Sequence, residues 1–417
     1  MLWPLILPVF SAMRILHTSD WHLGQHFIGR SRANEHRAFL SWLVAQVNSQ
    51  HIDAIIVAGD IFDTATPPSY ARELYNQFIV DLQPSGCQLI LLAGNHDAAA
   101  VLNESKNLLH YLNTQVIVSS SETISEQLIV LHNRQQQPAA LLCAVPFIRA
   151  RDLLQSQSGQ SARDKQQNLQ QAITQHYQQL YAAAEQYNAG QALPLPIIMT
   201  GHLTTVGVST SESVRDIYIG TLDAFPTNAF PPADYIALGH IHQSQQLKAS
   251  TDIRYSGSPI ALSFDEASQQ KQLWLVEFTG LTKTVSSLPV PCFQPLRSIQ
   301  TSLSDIPAKL ALALQQLTDG ETLWLELVIN ETDAYLNDLQ QRVEQLLHGL
   351  PVDLLRLRRK RSASNSGMAT TTQQSLDELS PEQVWQSRLA LENLSDEQQQ
   401  QLNKLHQQVL AKVRDAL

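Results

Sequence analysis

Short runs of apolar residues recur along the chain from Arg14 to about Phe278, and each run is too short for a buried helix. Such runs predict strands of a sheet that is covered on both faces. The apolar residues Phe39, Leu43 and Val47 instead follow helical spacing. Alternation of this kind predicts an α/β domain with layered sheets. The clearest predicted strands are Asp53–Ala58, Gln88–Ala93, Leu141–Val145, Ile197–Thr200, Tyr235–Leu238 and Leu273–Phe278.

A glutamine-rich stretch, Gln155–Gln191, lies between two of these strands. Leu169, Ile173, Tyr177 and Leu180 follow helical spacing within it. We therefore expect a surface helix here in preference to a disordered tract.

The pattern changes at Pro289-Val290-Pro291, so we place a first domain over residues 13–288 and a smaller α+β unit over residues 289–361. A polar segment, 362–374, then predicts a linker, and residues 375–417 predict two helices with an apolar stripe that suits a partner. The elements expected in the smaller unit are a helix at Ile306–Leu317, a strand at Leu323–Ile329, a helix at Ala334–Leu347 and a strand at Val352–Leu357.

The first twelve residues, Met1–Ala12, are apolar but lack the Lys or Arg that opens a signal peptide, and two prolines interrupt them. We interpret them as an upstream-start artefact or a loose tail in preference to a targeting signal. Three widely spaced cysteines form no CxxC pair, which predicts a reducing cytoplasm and no disulfide framework. No apolar run reaches the roughly 20 residues that would span a bilayer.

The formal net charge of -10 argues against a stand-alone DNA-binding domain, which is usually basic. One strongly basic run, Arg356–Arg361, suits either a solvated strand end or a phosphate contact. Bound divalent cations would offset part of the negative charge locally, and a DNA-binding partner would supply DNA contacts of its own.

Five short polar motifs follow predicted strands, and four of them begin with a glycine directly before a polar residue, which permits a sharp turn. Ligands gather at the carboxyl ends of strands in α/β sheets, so these motifs can converge. Taken singly each suits an ordinary strand end or turn, but five in order make coincidence improbable. The motifs are Asp20-Trp21-His22, Gly59-Asp60-Ile61-Phe62-Asp63, Gly94-Asn95-His96-Asp97, Gly201-His202 and Gly239-His240-Ile241-His242.

These residue types predict a metal centre. Aspartate, asparagine and histidine suit Mn²⁺, Fe²⁺ or Zn²⁺ better than Ca²⁺, which prefers oxygen ligands alone. Seven donors exceed what one tetrahedral site uses, but they suit two ions that share a carboxylate and clamp a phosphate. Asp60 is the natural bridge, because it follows a central strand in an aspartate-rich loop. The seven predicted donors are Asp20, His22, Asp60, Asn95, His202, His240 and His242.

The ordered motifs resemble those of the calcineurin-like metallophosphoesterases. A bacterial DNA nuclease branch of that family is similar at His17–Gly24, at Pro67–Ala71, at Gly201–Thr204, and from Arg215–Gly220 onward to Gly257-Ser258-Pro259. The resemblance implies a two-sheet αββα sandwich with a small capping domain and C-terminal helices. It covers nearly the whole chain from Met13.

Carried onto this sequence, the resemblance implies one metal held by Asp20, His22, Asp60 and His242, and a second held by Asp60, Asn95, His202 and His240. It implies Mn²⁺ as the working ion.

Three further residues of these motifs receive expectations. His96 would face the scissile phosphate, since a histidine pKa of about 6.5 suits proton transfer near operating pH. Asp63 either supports a ligand or positions the phosphate. Asp97 either orients His96 or caps a helix.

The resemblance further implies an ATPase partner, in a complex that would hold two copies of each chain and a nuclease-domain dimer. The complex would be an ATP-dependent 3'-5' double-strand exonuclease and a single-strand and hairpin endonuclease. The sequence has no GxxxxGK[ST] phosphate loop, so ATP dependence must come from another chain. Two alternatives stay open, namely a phosphoesterase acting on small nucleotide esters and a binding scaffold that has lost its metals.

Overall fold

The computed structural model describes residues 12–120, 123–153, 161–214, 224–318, 320–330 and 338–359, and positions 385, 402, 403, 405 and 406. This part of the chain contains two six-stranded sheets. Two short segments form 3₁₀ turns, at Gln83–Ser85 and Thr227–Ala229.

The first sheet has the strand order β14-β13-β1-β4-β5-β6. Strands β1, β4, β5 and β6 are parallel, whereas β13 pairs antiparallel with both β1 and β14. The carboxyl ends of the parallel strands therefore meet along one edge. The bounds are β1 Ala12–Thr18, β4 Ala54–Ala58, β5 Gln88–Leu92, β6 Thr114–Ile117, β13 Gln272–Thr279 and β14 Thr282–Pro289.

The second sheet has the order β11-β12-β10-β9-β8-β7, with β8, β9, β10 and β12 parallel. A separate short hairpin joins β2, His26–Phe27, to β3, Arg30–Ser31. The bounds are β7 Leu128–His132, β8 Pro138–Cys143, β9 Ile197–His202, β10 Tyr235–Gly239, β11 Gln245–Gln246 and β12 Ile253–Tyr255.

The two sheets pack face to face with helices outside them, which gives the four-layer αββα sandwich. Strand β4 shows how its apolar run serves both faces. Its Ile55 and Val57 belong to the cluster under the helices, while Ile56 belongs to the cluster between the sheets. A strand covered on both faces needs apolar residues throughout, as the sequence pattern predicted. The helices are α1 Ala33–Ser49, α2 Ser69–Leu82, α3 Ala99–Asn103, α4 Lys106–His110, α5 Ile124–Gln127, α6 Ala150–Leu153 and α7 Ala162–Ala189.

Residues 162–189 of the glutamine-rich stretch form α7, as predicted. Ser161 and Asp164 make a reciprocal capping box at its start, and Gly190 follows its end. Its buried apolar residues recur three to four positions apart and pack on the second sheet, while the glutamines largely face solvent. Those buried residues are Leu169, Ile173, Tyr177, Leu180 and Ala184.

The C-terminal part contains a three-stranded sheet in the order β15-β16-β17. The expected strand at Leu323–Ile329 is confirmed. The expected helix at Ile306–Leu317 ends three residues early, and the expected strand at Val352–Leu357 continues to Arg359. The elements are β15 Leu296–Thr301, α8 Ile306–Leu314, β16 Leu323–Ile329, α9 Leu339–Leu347 and β17 Val352–Arg359.

The helix expected at Ala334–Leu347 is described from Leu339 onward, and the earlier positions lie outside the described residues. The chain divides into two compact units: 1–299 with 310–326 and 349–356, and 300–309 with 327–348 and 357–417. The expected division at residue 289 stays a prediction.

Both ends of the chain lie largely outside the described residues, including the segment 1–11, the linker 362–374 and most of 375–417. Strand β1 begins at Ala12, which pairs with Thr279, so it starts two residues before Arg14, where the recurring apolar runs of the sequence begin. Near the other end, Trp385 stacks on His406 with ring centroids 4.3 Å apart. No described helix is long and apolar enough to cross a membrane.

Candidate metal centre

All five polar motifs meet where the strands of both sheets end. Asp20, Asp60 and Asn95 follow β1, β4 and β5, while His202 is the last residue of β9 and His240 follows β10 directly. Backbone hydrogen bonds cross between the first two motifs, because the Asp20 N–H donates to the Gly59 carbonyl at 3.0 Å and the His22 N–H to the Asp60 carbonyl at 3.1 Å. The loops are therefore held in register beyond the ends of their strands.

Four of the seven predicted donors have a left-handed backbone. The φ angles are 54° at Asp20, 47° at His22, 51° at Asp60 and 92° at His240. Non-glycine residues pay energy for this conformation, and such strain clusters at functional sites. The strain is consistent with loops shaped to aim these side chains.

Two motif glycines leave room that the donors fill. A Cβ atom on Gly94 would lie 2.1 Å from Asp60 Oδ1, and one on Gly59 would lie 2.1 Å from His202 Nδ1. Both distances are far inside ordinary contact. Glycine is thus required at both positions because a donor side chain lies against the backbone, as well as because the chain turns there.

The predicted donors form two clusters of buried side chains. Asp20, His22 and His242 offer ligand atoms that lie within 4.8 Å of one another, and so do Asp60, His202 and His240. A carboxylate with two imidazoles in each cluster suits a transition-metal divalent ion.

Asp60 lies between the clusters. Its Oδ2 is 3.2 Å from His202 Nε2 in one cluster and 3.7 Å from His22 Nε2 in the other. Asn95 joins the second cluster, since its Oδ1 is 2.9 Å from His202 Nε2. The side chains therefore have the arrangement that a shared carboxylate requires.

His202 directs its Nε2 atom at two acceptor oxygens. Its Nδ1 donates to the Ala58 carbonyl at 2.8 Å, so Nε2 faces the two acceptor oxygens of Asp60 and Asn95. Burial lowers the pKa of His202, but the charge and hydrogen bond of Asp60 outweigh burial and raise the pKa to about 9. A proton or a metal ion on Nε2 satisfies this geometry, and a histidine ligand binds metal without that proton.

In two more imidazoles, the nitrogen that would bind metal has no hydrogen-bond partner among the described residues. His22 Nε2 and His240 Nε2 are buried with no hydrogen-bond partner among the described residues. Buried polar atoms are nearly always satisfied. Unpaired nitrogens beside buried carboxylates fit a metal-binding site.

The remaining motif residues support the cluster. Asp63 Oδ1 lies 3.2 Å from His22 Nδ1, which agrees with the support alternative for Asp63. His96 is partly exposed, its Nδ1 donates to the Asp63 carbonyl at 2.6 Å, and its ring centroid is 4.7 Å from that of His22. His96 therefore lies at the rim of the cluster, between the buried donors and solvent.

The Asp97 carboxylate makes contacts that neither expected role describes. Helix α3 begins at Ala99 after Ala98, which supplies no side-chain cap, and the ring of His96 is held by the Asp63 carbonyl. The Asp97 carboxylate instead accepts backbone N–H groups from Ile61, Phe62 and Gly94. It fastens the second motif to the third, which spacing along the sequence does not reveal.

Sequence reasoning also missed Glu266, a fully buried carboxylate whose Oε1 lies 3.5 Å from His242 Nδ1. Burial raises its pKa, but the hydrogen bond from His242 and the charge of Lys271 outweigh burial and hold the pKa well below its usual range. Glu266 lies 24 positions after His242 in no recognisable motif, so only the folded chain brings the two together.

Two family models match the sequence of this chain. The calcineurin-like phosphoesterase model matches residues 13–244, and the type 5 capsule protein repressor C-terminal domain model matches residues 292–393. The SbcD subunit of nuclease SbcCD from Escherichia coli K12 is 50% identical over 394 residues, which cover 94% of this chain and 96% of that protein. The chain belongs to the SbcD family of nuclease subunits.

Other members of the SbcD family are less similar. The Rhodobacter capsulatus member is 32% identical over 82% of this chain and 86% of its own length. The Bacillus subtilis member is 32% identical over 64% of this chain and 66% of its own length. Membership in the calcineurin-like phosphoesterases implies divalent metal binding, and the two clusters fit it.

Among solved structures, a dimetal phosphatase from Danio rerio is 12% identical with a TM-score of 0.39, over 68% of this chain and all of that chain. A likeness at that score says nothing about what this chain does.

Proposed function

We propose that this chain is the nuclease subunit of an SbcCD-type complex and hydrolyses DNA phosphodiester bonds with two divalent ions, Mn²⁺ in the working enzyme. The observation that carries the proposal is the position of the Asp60 carboxylate, which lies within 3.2 Å of one imidazole and 3.7 Å of another from two different donor clusters. A bridging carboxylate is what a two-metal phosphoesterase needs.

The donor set divides between two ions that share Asp60. Asp20, His22, Asp60 and His242 would hold one ion, and Asp60, Asn95, His202 and His240 the other. When bound, such a pair supplies positive charge that polarises a phosphate and lowers the pKa of water.

The chain's own residues prepare this site before any substrate arrives. The Ala58 carbonyl and the Asp63 carboxylate hold the Nδ1 atoms of His202 and His22, so that each ring directs Nε2 toward Asp60. Hydrogen bonds of this kind set the tautomer and orientation of a ligand histidine. These hydrogen bonds within the chain therefore preorganise the site.

His96 is our candidate for the residue that acts on the substrate. The Asp63 carbonyl holds its Nδ1 at 2.6 Å, and the ring is partly exposed at the rim of the donor clusters. From there it can protonate a leaving oxygen or stabilise its charge. Asp63 thus contributes twice, through its carbonyl to His96 and through its carboxylate to His22.

The relatives are named as parts of nuclease SbcCD, so we propose an SbcC-type ATPase as the partner, docked on residues 375–417. ATP-dependent double-strand exonuclease activity and hairpin opening would then belong to the complex, in the cytoplasm. The apolar stripe of the last predicted helix, on Leu402, Leu405, Val409 and Val413, supports this assignment of the docking segment.

The rival function, hydrolysis of small nucleotide esters, shares the site and differs in substrate. Manganese-dependent cleavage of a DNA hairpin should be compared with turnover of a nucleotide ester, using the chain together with its ATPase partner. We expect DNA cleavage to dominate, and Asp60→Asn to abolish it because that change removes the bridging charge. Nucleotide turnover without DNA cleavage would refute the nuclease proposal. Unchanged DNA cleavage by Asp60→Asn would refute the proposal that Asp60 bridges the two ions.

A further inference from the structure

Glu266 is a fully buried carboxylate that is not among the proposed metal ligands. Lys271 Nζ donates to its Oε2 at 2.6 Å, and the Leu262 N–H donates to the same oxygen at 3.0 Å. Its Oε1 accepts from the hydroxyl groups of Ser211, at 2.7 Å, and of Ser213. Every oxygen of this buried group is thus engaged.

The same ion pair holds His242 at two points. Ser213 Oγ lies 2.6 Å from His242 Nδ1, and Glu266 Oε1 lies 3.5 Å from that nitrogen. Lys271 Nζ donates to the His242 carbonyl at 3.1 Å. The ring and the backbone of one residue are therefore both anchored to one Glu–Lys pair.

The direction of these hydrogen bonds sets the tautomer of His242. The Ser213 hydroxyl donates to Glu266, so its oxygen accepts, and His242 Nδ1 must carry the proton that it accepts. His242 Nε2 then keeps its lone pair. His22 and His202 have the same arrangement, with Asp63 and the Ala58 carbonyl as the acceptors at Nδ1.

Stability alone is a poor explanation of this network. A buried ion pair gains little over an apolar replacement, because desolvation of both charges offsets their attraction. A carboxylate that orients a ligand histidine, directly or through a hydroxyl, is in contrast a recurrent feature of metal centres.

We propose that Glu266, acting through Ser213 and with Lys271 as its counter-ion, is a positioning residue that fixes His242 for one of the two metal ions. This inference rests on the proposed function. It assigns the effect to the cluster of Asp20, His22 and His242, and leaves the cluster of Asp60, His202 and His240 unaffected.

The test is calorimetric titration of Mn²⁺ into the full-length chain after chelator treatment, which reads metal binding without relying on activity. We expect two binding events in the wild type. Glu266→Gln keeps the size of the side chain but loses its charge, and should weaken one event by roughly 10–100-fold while leaving the other unchanged.

Asp53→Asn is the matched control. Asp53 is another buried carboxylate that accepts backbone N–H groups, from Arg14 and Arg134, but it lies just before the start of β4, at the end of that strand remote from Asp60. This variant should lose stability and keep both binding events. The contrast separates a positioning role from a general loss of folding.

Ser213→Ala tests the same route without disturbing the ion pair, and serves if Glu266→Gln does not fold. It should weaken the same single event by a smaller factor. Wild-type affinities in either folded variant, or equal weakening of both events, would overturn the inference. A wild-type chain that binds no Mn²⁺ would instead overturn the proposed function.

Discussion

Replacing Gly59 by alanine tests whether backbone closeness, rather than donor identity alone, builds the metal centre. The added Cβ would lie 2.1 Å from Nδ1, 2.6 Å from Cγ and 2.9 Å from Cε1 of His202. Ordinary contacts begin near 3.4 Å. The imidazole must therefore move by about 1 Å or more, because the backbone of Gly59 is tied to Asp20 and Val57.

The magnitude follows from two separate costs. Gly59 has a φ of +94°, and a side chain in this left-handed region costs about 1–2 kcal/mol. Displacement of His202 also breaks the 2.8 Å hydrogen bond to the Ala58 carbonyl, which is worth about 1 kcal/mol. We expect the free energy of unfolding to fall by roughly 2–3 kcal/mol.

Gly59→Ala should also weaken metal binding, and it should do so at only one of the two ions. Loss of the partner that orients a ligand histidine costs roughly 10–100-fold in affinity, and His202 would lose both its partner and its position. Calorimetric titration with Mn²⁺ should show that loss at the event assigned to Asp60, His202 and His240. Urea unfolding of the chelated protein measures the stability part separately.

Gly86→Ala is the matched control for Gly59→Ala. Gly86 also has a positive φ, +71°, but a Cβ there meets no atom within 4 Å. It should lose about 1 kcal/mol of stability through backbone strain alone and bind metal normally. If folded Gly59→Ala also bound two ions with wild-type affinity, the close-approach argument would be refuted.

Two further predictions concern pH and metal removal. Burial, aided by the Arg254 charge and opposed by the Leu238 carbonyl, lowers the pKa of His17 to about 3. As pH falls, the unfolded chain therefore binds a proton at His17 before the folded chain does, and this lowers the free energy of unfolding. Between pH 7.5 and 5.5 the free energy of unfolding of the wild type should fall by about 1.4 kcal/mol more than that of His17→Gln. Equal losses in urea unfolding of the chelated proteins would contradict this. Chelation itself should lower the free energy of unfolding by about 2.7 kcal/mol per site relative to Mn²⁺ at 100 times Kd, and an unchanged urea midpoint would argue against metal binding.

Much of the architecture was readable from local pattern. The all-apolar run of Ala54–Ala58 predicted a strand covered on both faces, and the stripe through Leu169 and Tyr177 predicted α7 despite its glutamines. These predictions succeeded because burial imposes a period on neighbouring residues. The ends of elements were less accurate: α8 stops three residues before the predicted Leu317, and the first sheet strand begins at Ala12.

The residue types of the candidate site were also evident in the sequence, because each donor follows a strand that ends at the same edge of its sheet. The sequence left open the roles of Asp63 and Asp97. Tertiary contacts favour the ligand-supporting role for Asp63, whose carboxylate lies against His22. They give Asp97 a role that neither expectation describes, because its carboxylate accepts three backbone N–H groups.

Only the tertiary structure brought Glu266 and Lys271 to His242 and placed the Asp60 carboxylate between the imidazoles of His202 and His22. Periodicity and motif spacing report on residues near one another in the chain. A carboxylate–imidazole contact across 24 residues, or the lack of space for a Cβ beside His202, depends on how the folded elements pack, and packing has no local period to read. The sequence by itself therefore determined which atoms can bind metal, while the packed sheets decided how those atoms are held.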